Sequence, residues 1–219
     1  ALELDPFAET EDQKALRALA RDVADRELAP RARAGDETEE FPQASWDAMR
    51  AADLFSITIG ERWGGMGLGD VEASIVLEEL GRADVSSAIL AQLIFNGPPR
   101  AIEHLGSDHV AGTHVKMGLR ATSEAELAFD DVYIAPEDVL IAGDPENAEA
   151  FKTLISHINH ERCGNASMCV GAAQGALEYA VGYLNERIVG GRPLADLQGL
   201  QWKIADMTTQ LEGARMLLK

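Results

Sequence analysis

The chain has 219 residues, of which 46% are hydrophobic and 5% aromatic, and it carries a formal net charge of −18 with a pI near 4.6. The hydrophobic content excludes a globally disordered chain, because a core of ordinary size can form. The negative charge argues against general binding to nucleic acid or to an anionic membrane surface, since both would repel the chain. A polyanionic ligand would need a local cluster of Arg or Lys.

The first half of the chain is predicted to be helical. A capping box that starts at Thr10 predicts a helix over 10–29 that ends near Pro30. A proline in the first turn and a one-sided apolar pattern predict a second helix over 42–53. Three further helices, the first of them stopped by Gly81, are predicted at 70–80, 85–95 and 98–105.

The pattern changes between residues 111 and 143, where short alternating pieces predict strands. About 30 residues of strand cannot bury a sheet face alone, so we interpret them as a fragment of a sheet or as strands packed on helices. The predicted organisation is therefore an α-helical domain over 1–110, a β-strand segment over 111–143 and an incomplete helical bundle over 144–219.

A long helix is predicted from Asp144, which acts as its cap, to about Arg187. The sequence GGRPLAD then interrupts the helical pattern. From Leu197 to Leu218 apolar residues follow one another in steps of three and four, which is typical of a bundle seam.

Cys163 and Cys169 are the two cysteines of the chain. On one helix their Cα atoms would lie about 9 Å apart, too far for a disulfide, so we expect two small core residues in a reducing compartment. Residues 1–30 are charged throughout and do not resemble a signal peptide. No apolar run has the length of a transmembrane helix, and we expect a cytoplasmic protein without a membrane span.

A carboxylate interrupts the apolar stripe of the long predicted helix. Steps of four and three residues follow this stripe through Leu154, Ile158, Glu161, Asn165, Met168 and Ala172. A carboxylate on an apolar wall can serve as a general base that works near neutral pH. The alternative is a structural carboxylate, paired with an arginine or with backbone donors of a neighbouring helix. Arg162, the next residue, could anchor an anionic ligand group or form an interhelix ion pair.

Two other motifs invite a phosphate-binding interpretation. The stretch GERWGGMGLGD lacks the Lys-Ser/Thr and the spacing of phosphate loops, and we interpret it as a tight turn between packed elements. Arg187 and Arg192 flank two glycines and could hold a phosphate or pyrophosphate. The alternative is that Arg187 complements the helix dipole, with Gly190 as the helix C-cap. The five histidines lack metal-ligand spacing, so no metal site is expected.

Three stretches resemble segments of the acyl-CoA dehydrogenase family. GERWGGMGLGDVEASIVLEELGRAD resembles a turn and helix of the N-terminal domain, where members read PExxGGxG and this chain has Gly60 in place of the proline. MGLRATSEAELAFDDVYIAPEDVL resembles the end of the middle β-domain. The stretch that begins NHERCGNASMCVGAAQG and continues to Met207 resembles the first two helices of the C-terminal bundle.

The resemblance implies a mainly α fold of acyl-CoA dehydrogenase type. It would comprise an N-terminal helical domain, a remnant of a middle β-barrel and the start of a C-terminal helical bundle. The part of the barrel without a counterpart here carries the main flavin-contacting motifs of the family. We favour a longer natural chain of which these segments are parts, because a bundle that stopped at Lys219 would expose a large apolar stripe.

The resemblance also implies an FAD-dependent acyl-CoA dehydrogenase of fatty-acid metabolism, which oxidises an acyl-CoA thioester to the 2,3-enoyl-CoA. In this family a glutamate removes the α-proton while the β-hydrogen leaves as hydride to FAD. In some branches that glutamate stands at the position of Glu161, which is therefore the candidate catalytic base. In most members it lies late in the bundle, beyond Lys219, and this alternative stays open. Asn159 and Arg162 match positions that contact the acyl-CoA substrate.

Three further residues match contacts to the FAD of a neighbouring subunit: Arg187, Leu197 and Gln198. Family members usually have an aromatic residue where Gly190 stands here. The cross-subunit contact implies a homo-oligomer, typically a dimer of dimers, or a hetero-oligomer with a related subunit. Electrons would pass to an electron-transferring flavoprotein. The alternatives are a non-catalytic partner subunit or helical scaffold that has lost flavin binding, and a related flavoenzyme such as a reductase or an oxidase.

Overall fold

A computed structural model describes residues 8–38, 40–96, 133–139, 141 and 148–218. The described residues are mainly helical, as predicted. The helix predicted at 98–105, most of the predicted strand segment and the predicted helix start at Asp144 lie outside the described residues, so those assignments and the domain boundaries that depend on them stay predictions.

The N-terminal region forms a set of packed helices: α1 (Glu11–Val23), α2 (Ala29–Thr38), α3 (Gln43–Ala51), α4 (Asp70–Ala83) and α5 (Val85–Phe95). A π-helical turn, Ala24–Leu28, joins α1 to α2. The C-terminal region consists of the long helix α6 (Glu149–Glu186), a hairpin of β1 (Ile188–Val189) and β2 (Arg192–Pro193), and helix α7 (Gln198–Leu217). The two strands pair antiparallel, with Val189 opposite Arg192.

The capping box at the start of α1 is confirmed, but the predicted helix end is wrong. Gln13 N donates to Thr10 Oγ1 at 3.2 Å, and the Thr10 amide donates to Gln13 Oε1 at 3.0 Å. Helical structure then continues past Pro30 to Thr38. Pro30 is tolerated because it lies in the first turn of α2, directly after the π-helical turn, where its missing N–H costs little.

Helix α4 is the centre of the fold, and it is buried on several sides at once. It contacts α1, α5 and α6, and its buried apolar residues are Ala73, Ile75, Val76, Leu77 and Leu80. Because the buried residues of α4 lie on several of its sides, other helices must cover those sides. The core continues through α3, where Trp46 packs against Phe55 with ring centroids 4.4 Å apart.

Glycines let α4 and α6 approach each other closely. A Cβ on Gly171 would lie 2.0 Å from the carbonyl oxygen of Glu78, and one on Gly81 would lie 2.7 Å from that of Met168. The prediction that Gly81 stops the helix is therefore wrong, because α4 continues to Ala83. Gly81 allows close packing rather than a helix end.

An ion-pair network around Glu79 ties α1 to α4. The Glu79 side chain is 1% exposed and lies 2.7 Å from Arg17 Nη1, 2.8 Å from Arg21 Nε and 3.3 Å from Arg82 Nε. Burial acts to raise the pKa of Glu79, but hydrogen bonds from Arg21 and Arg17 outweigh it and hold that pKa below the ordinary value. The network keeps the Glu79 carboxylate charged inside the protein.

A second part of the network ties α7 to α4 and α6. Arg215 Nε lies 2.6 Å from Glu78 Oε1, and Arg215 Nη2 donates to Gln174 Oε1 at 2.9 Å. Arg82 also pairs with Asp25 of the π-helical turn and with Glu178 of α6. Arginines from three helices thus neutralise the carboxylates between α1, α4, α6 and α7.

The glycine-rich stretch before α4 forms the tight turn that we predicted. Gly64 and Gly67 have φ values of 85° and 63°, which favour glycine. The turn folds back on the preceding segment, where Met66 N donates to Ser56 O at 2.9 Å and Leu68 N donates to Ile57 O at 2.8 Å. Its hydrogen bonds are therefore made within the protein rather than kept for a ligand.

The cysteine prediction is only partly correct. Cys163 and Cys169 are both free, but both are exposed rather than buried in the core. The positions of α6 that pack closely on α4 and α5 are instead glycines, Gly164 and Gly171, and Cys169 borders the groove between α6 and α7. Within the described parts of the chain, the helices all fall short of the length and hydrophobicity that a membrane span requires.

Candidate active site on helix α6

Glu161 stands apart from the other carboxylates of the packed helices. It is half-buried and lies one helical turn before Gly164, which packs against α5. Its carboxylate makes no hydrogen bond or ion pair with any residue that the structure describes, whereas buried Glu78 and Glu79 are each held by arginines. The Glu161 carboxylate is therefore available to accept a proton or a hydrogen bond from a ligand.

The stripe predicted on α6 is only partly correct. Met168 is buried, but Asn165 is exposed and Leu154 is 44% exposed. The side that packs against the N-terminal helices instead includes Gly164 and Ser167. Hydrophobic periodicity does not find this side, because close helix contacts use glycine and serine rather than large apolar residues.

A buried amide links α5 to the turn of α6 that carries Glu161. Gln92 is 1% exposed, and its Nε2 donates to the main-chain oxygen of Glu161 at 2.8 Å. Asn96 Nδ2 donates in turn to Gln92 Oε1 at 3.2 Å. We did not predict this contact, although the isolated amide in the apolar sequence VSSAILAQLIF could have indicated it.

A second contact fixes the neighbouring residue of α6 to the start of α4. His160 Nδ1 lies 2.7 Å from Asp70 Oδ2. Asp70 is the first residue of α4. Two successive residues of α6, His160 and Glu161, are thus each bonded to a different N-terminal helix, one through its side chain and one through its carbonyl.

The two predicted substrate contacts lie together on the outer side of α6. Asn159 and Arg162 are both exposed, and Arg162 Nη1 donates to Asn159 Oδ1 at 3.2 Å. Arg162 makes no ion pair among the described residues. The interhelix ion pair considered for Arg162 is therefore absent among the described residues. The Arg162 guanidinium is available to bind a ligand.

The three predicted cofactor contacts lie at the other end of α6. Arg187 follows the last residue of the helix and is exposed, Leu197 is half-buried, and Gln198 is the exposed first residue of α7. The hairpin connects Arg187 to the start of α7, and Leu194 N donates to Arg187 O at 2.8 Å. Arg187 and Glu161 are separated by about 39 Å along the helix at a rise of about 1.5 Å per residue.

The C-cap interpretation of Gly190 is wrong, because Gly190 lies in the hairpin turn. Arg187 is the C-cap of α6, and Gly190 and Gly191 have φ values of 60° and 83°. Two successive positive φ values are typical of the turn that matches the twist of paired strands. The turn leaves Arg187 and Arg192 exposed on either side of it, without ion pairs in the described structure.

Sequence comparisons match most of the chain to one family. The profile described as acyl-CoA dehydrogenase, N-terminal domain, matches residues 10–114, and that described as acyl-CoA dehydrogenase, C-terminal domain, matches residues 151–219. These ranges include every candidate residue named above.

Two curated relatives extend over nearly the whole chain. A 3-sulfinopropanoyl-CoA desulfinase of Paraburkholderia xenovorans (strain LB400) is 25% identical over 300 residues, covering 97% of this chain and 77% of the relative. A cyclohex-1-ene-1-carbonyl-CoA dehydrogenase of Syntrophus aciditrophicus (strain SB) is 28% identical over 299 residues, covering 96% and 71%. Because both alignments are longer than the 219-residue chain, both relatives contain residues with no counterpart here.

A solved structure confirms the fold class. Butyryl-CoA dehydrogenase from Megasphaera elsdenii superimposes with a TM-score of 0.80 at 19% sequence identity, over 97% of this chain and 79% of that chain. Likeness at this identity establishes the arrangement of the helices. With the two family matches and the curated relatives, it shows that the chain belongs to the acyl-CoA dehydrogenase family.

Proposed function

We propose that the protein is an FAD-dependent acyl-CoA dehydrogenase in which Glu161 is the catalytic base. The observation that carries this proposal is the half-buried carboxylate of Glu161, which has no partner among the described residues. The buried carboxylates of α4, by contrast, are neutralised by arginines, as a structural carboxylate in such a place is expected to be. The family relationship supplies the substrate class, a CoA thioester.

The chemistry of Glu161 follows from its place. Its carboxylate would accept the α-proton of the thioester, and the electron pair of that C–H bond would form the new carbon–carbon double bond as the β-hydrogen leaves. FAD, when bound, supplies the two-electron acceptor for that hydride. Partial burial of Glu161 limits access of water and so favours proton transfer from the substrate. Arg162 and Asn159, exposed beside it, would hold polar groups of the CoA.

The residues around the hairpin suit an anionic dinucleotide. Arg187 and Arg192 offer two exposed guanidinium groups, and Gln198 offers an amide at the N-terminus of α7. Such donors bind phosphates even when the protein is acidic overall. The chemistry of this donor set therefore fits FAD.

The distance between the two sets of residues supports an oligomer. Glu161 and Arg187 lie far apart on one rigid helix, with about 39 Å between them. Residues so far apart serve one active site only if two copies of the chain, or a related subunit, contribute to it. We therefore propose a homo-oligomer whose subunits share flavin sites, with an electron-transferring flavoprotein as acceptor.

One observation favours a second candidate reaction. A relative of similar identity is named a desulfinase, so a sulfinate-bearing acyl-CoA is an alternative substrate to an unsubstituted one. Both reactions act on a CoA thioester within one fold. Release of sulfite in the absence of an electron acceptor would identify the second reaction, whereas reduction of an artificial acceptor would identify dehydrogenation.

The substitution Glu161→Gln tests the assignment of the base. It retains the shape of the side chain but removes its basicity, so we expect dehydrogenation with an artificial acceptor to fall at least about 1000-fold. Flavin absorbance of the purified protein should be unchanged. The matched control is Asp206→Asn, which neutralises an exposed carboxylate on α7 and should retain full activity. Activity retained in Glu161→Gln would place the base elsewhere, and failure of the unaltered protein to bind FAD would favour a non-catalytic scaffold.

A further inference from the structure

The Gln92 amide is the contact through which α5 reaches the turn of α6 that carries Glu161. Its nitrogen donates to the Glu161 carbonyl at 2.8 Å, and its oxygen accepts from Asn96 at 3.2 Å. Gln92 and Asn96 are both buried, so neither bond competes with bulk water. Both ends of the Gln92 amide are therefore fixed by the protein.

Gly164 provides the space that this amide occupies. A Cβ on Gly164 would lie 1.9 Å from Gln92 Oε1 and 2.4 Å from its Cδ. Any larger residue at position 164 would displace the Gln92 side chain. The glycine of α6 and the glutamine of α5 thus form one contact, one turn from Glu161.

This bond is not needed to satisfy α6. A carbonyl inside an α-helix already accepts from the amide four residues later, so the Glu161 carbonyl would not be left unpaired without Gln92. The Gln92 amide, by contrast, would be costly to bury without partners. An apolar residue could be buried at position 92 at a lower free-energy cost. The hydrogen bond from Gln92 therefore serves to fix the position of the α6 turn, and the Glu161 carbonyl does not need it as a partner.

We propose that Gln92 is a positioning residue for the catalytic base. It fixes the rotation and height of the α6 turn that carries Glu161, and so sets where the carboxylate meets the substrate. This inference rests on the proposed function, since it assigns a role relative to Glu161 as base. Gly164 contributes by leaving room for the amide.

The first test replaces Gln92 by methionine, which has similar length but no hydrogen-bond donor. Because small displacements of a catalytic group lower rates strongly, we expect kcat to fall about tenfold while KM changes less than about twofold. The kinetic isotope effect with substrate deuterated at the α-carbon should rise, since proton abstraction becomes more rate-limiting. A loss of general stability alone would not raise this isotope effect.

The second test reads the contact without any enzyme assay. In Gln92→Met, hydrogen exchange should become faster in peptides that cover residues 158–168, while peptides that cover α7 should be unchanged. Gly164→Ala should produce the same exchange pattern, because its new Cβ would displace the Gln92 amide. If Gln92→Met does not fold, Gly164→Ala takes its place in this test.

The matched control is Thr58→Val. Thr58 Oγ1 also makes a buried hydrogen bond to a main-chain oxygen, that of Phe95, at 2.9 Å, but it contacts α5 rather than α6. We expect it to lower stability without changing kcat or the isotope effect. Unchanged kcat, isotope effect and exchange in Gln92→Met would overturn the positioning role, provided that Glu161→Gln is inactive. If Glu161→Gln is active, the assignment of the base has failed, and hydrogen exchange alone reports on the contact.

Discussion

The two halves of α6 are held in very different ways. The packed half, the stretch from Glu161 to Glu178, meets the Gln92 side chain of α5 at Gly164. It then meets the main chain of α4 at Gly171 and Gly175, and the Arg82–Glu178 ion pair ends this contact. The half towards the hairpin leaves Tyr179 79% exposed and borders an open apolar groove of about 490 Å³ between α6 and α7. The candidate base therefore lies on the tightly held half, and the candidate flavin contacts lie on the open half.

This difference indicates what each half is suited to do. A proton-transferring carboxylate needs a fixed position, which close packing and charged networks provide. An exposed end can instead be completed by another surface, such as a second subunit. Residues that line the groove are mostly small or aliphatic, among them Ala173, Leu177, Met207 and Leu211.

The largest expected effect comes from closing the space between α4 and α6. In Gly171→Ala the new Cβ would lie 2.0 Å from the Glu78 carbonyl oxygen, a main-chain atom that can move only with its helix. We expect the free energy of unfolding to fall by about 3 kcal/mol, measured by urea denaturation. An unchanged midpoint would show that the helices do not approach so closely.

The second-largest loss of unfolding free energy is expected from breaking the ion-pair network around Glu79. Glu79→Gln removes the carboxylate shared by Arg17, Arg21 and Arg82. Loss of a buried partner costs about 3–5 kcal/mol, and we expect about 2 kcal/mol here because the arginines retain other carboxylates and reach solvent in part. Thermal and urea unfolding at pH 7 measure this loss of unfolding free energy in Glu79→Gln. Glu37→Gln, which breaks an exposed pair with Arg33, is the control and should cost less than about 0.5 kcal/mol.

The unaltered protein and Glu79→Gln together predict a pH dependence. The pKa of Glu79 is lower in the folded protein than its ordinary value of 4.5, so its contribution to stability is present above that pH and is lost as the pH falls through the folded pKa. The difference in unfolding free energy between the two proteins should therefore be constant near neutrality and shrink below about pH 4.5. A difference that stays constant down to pH 3 would contradict the assignment.

A smaller effect is expected at the hairpin. Gly191 has a φ of 83°, so Gly191→Ala forces a side chain into the left-handed region at a cost of about 1 kcal/mol. Asparagine tolerates this region better, so Gly191→Asn should cost less. Hydrogen exchange of the Leu194 amide, which is bonded to the Arg187 carbonyl, reports on the hairpin directly. Equal exchange in all three proteins would show that the turn does not need the glycine.

The smallest effect has the opposite sign. Gly182 lies on the open half of α6, where a Cβ would meet no atom of the described residues within 4 Å beyond its own stretch of helix. Alanine favours helix by about 0.8–1.0 kcal/mol over glycine, and we expect Gly182→Ala to raise the unfolding free energy by about that amount. Together with Gly171→Ala, this substitution compares one chemical change on the two halves of one helix. A loss of stability at Gly182 would mean that the open half is covered by another surface in solution.

Much of the fold could be predicted from local chemistry. The capping box at Thr10, the helix over 85–95 and the tight glycine turn before α4 depend on a few neighbouring residues, and all are confirmed. The errors at Pro30 and Gly81 have different causes. Pro30 lies in the first turn of α2, directly after the π-helical turn, where its missing N–H costs little. Gly81 continues α4 because its missing side chain lets the main chain of Met168 on α6 pack against it.

The sequence by itself identified the family, the long helix and Glu161 as a candidate base, because motifs and periodicity are carried by residues close together in the chain. The tertiary structure alone showed that Gln92, 69 residues earlier, bonds to the Glu161 carbonyl, and that arginines from three helices pair with Glu78 and Glu79. It also showed that Glu161 itself has no such partner in the described structure. These facts depend on which helices approach each other in space, and the spacing of residues along one helix does not contain that information.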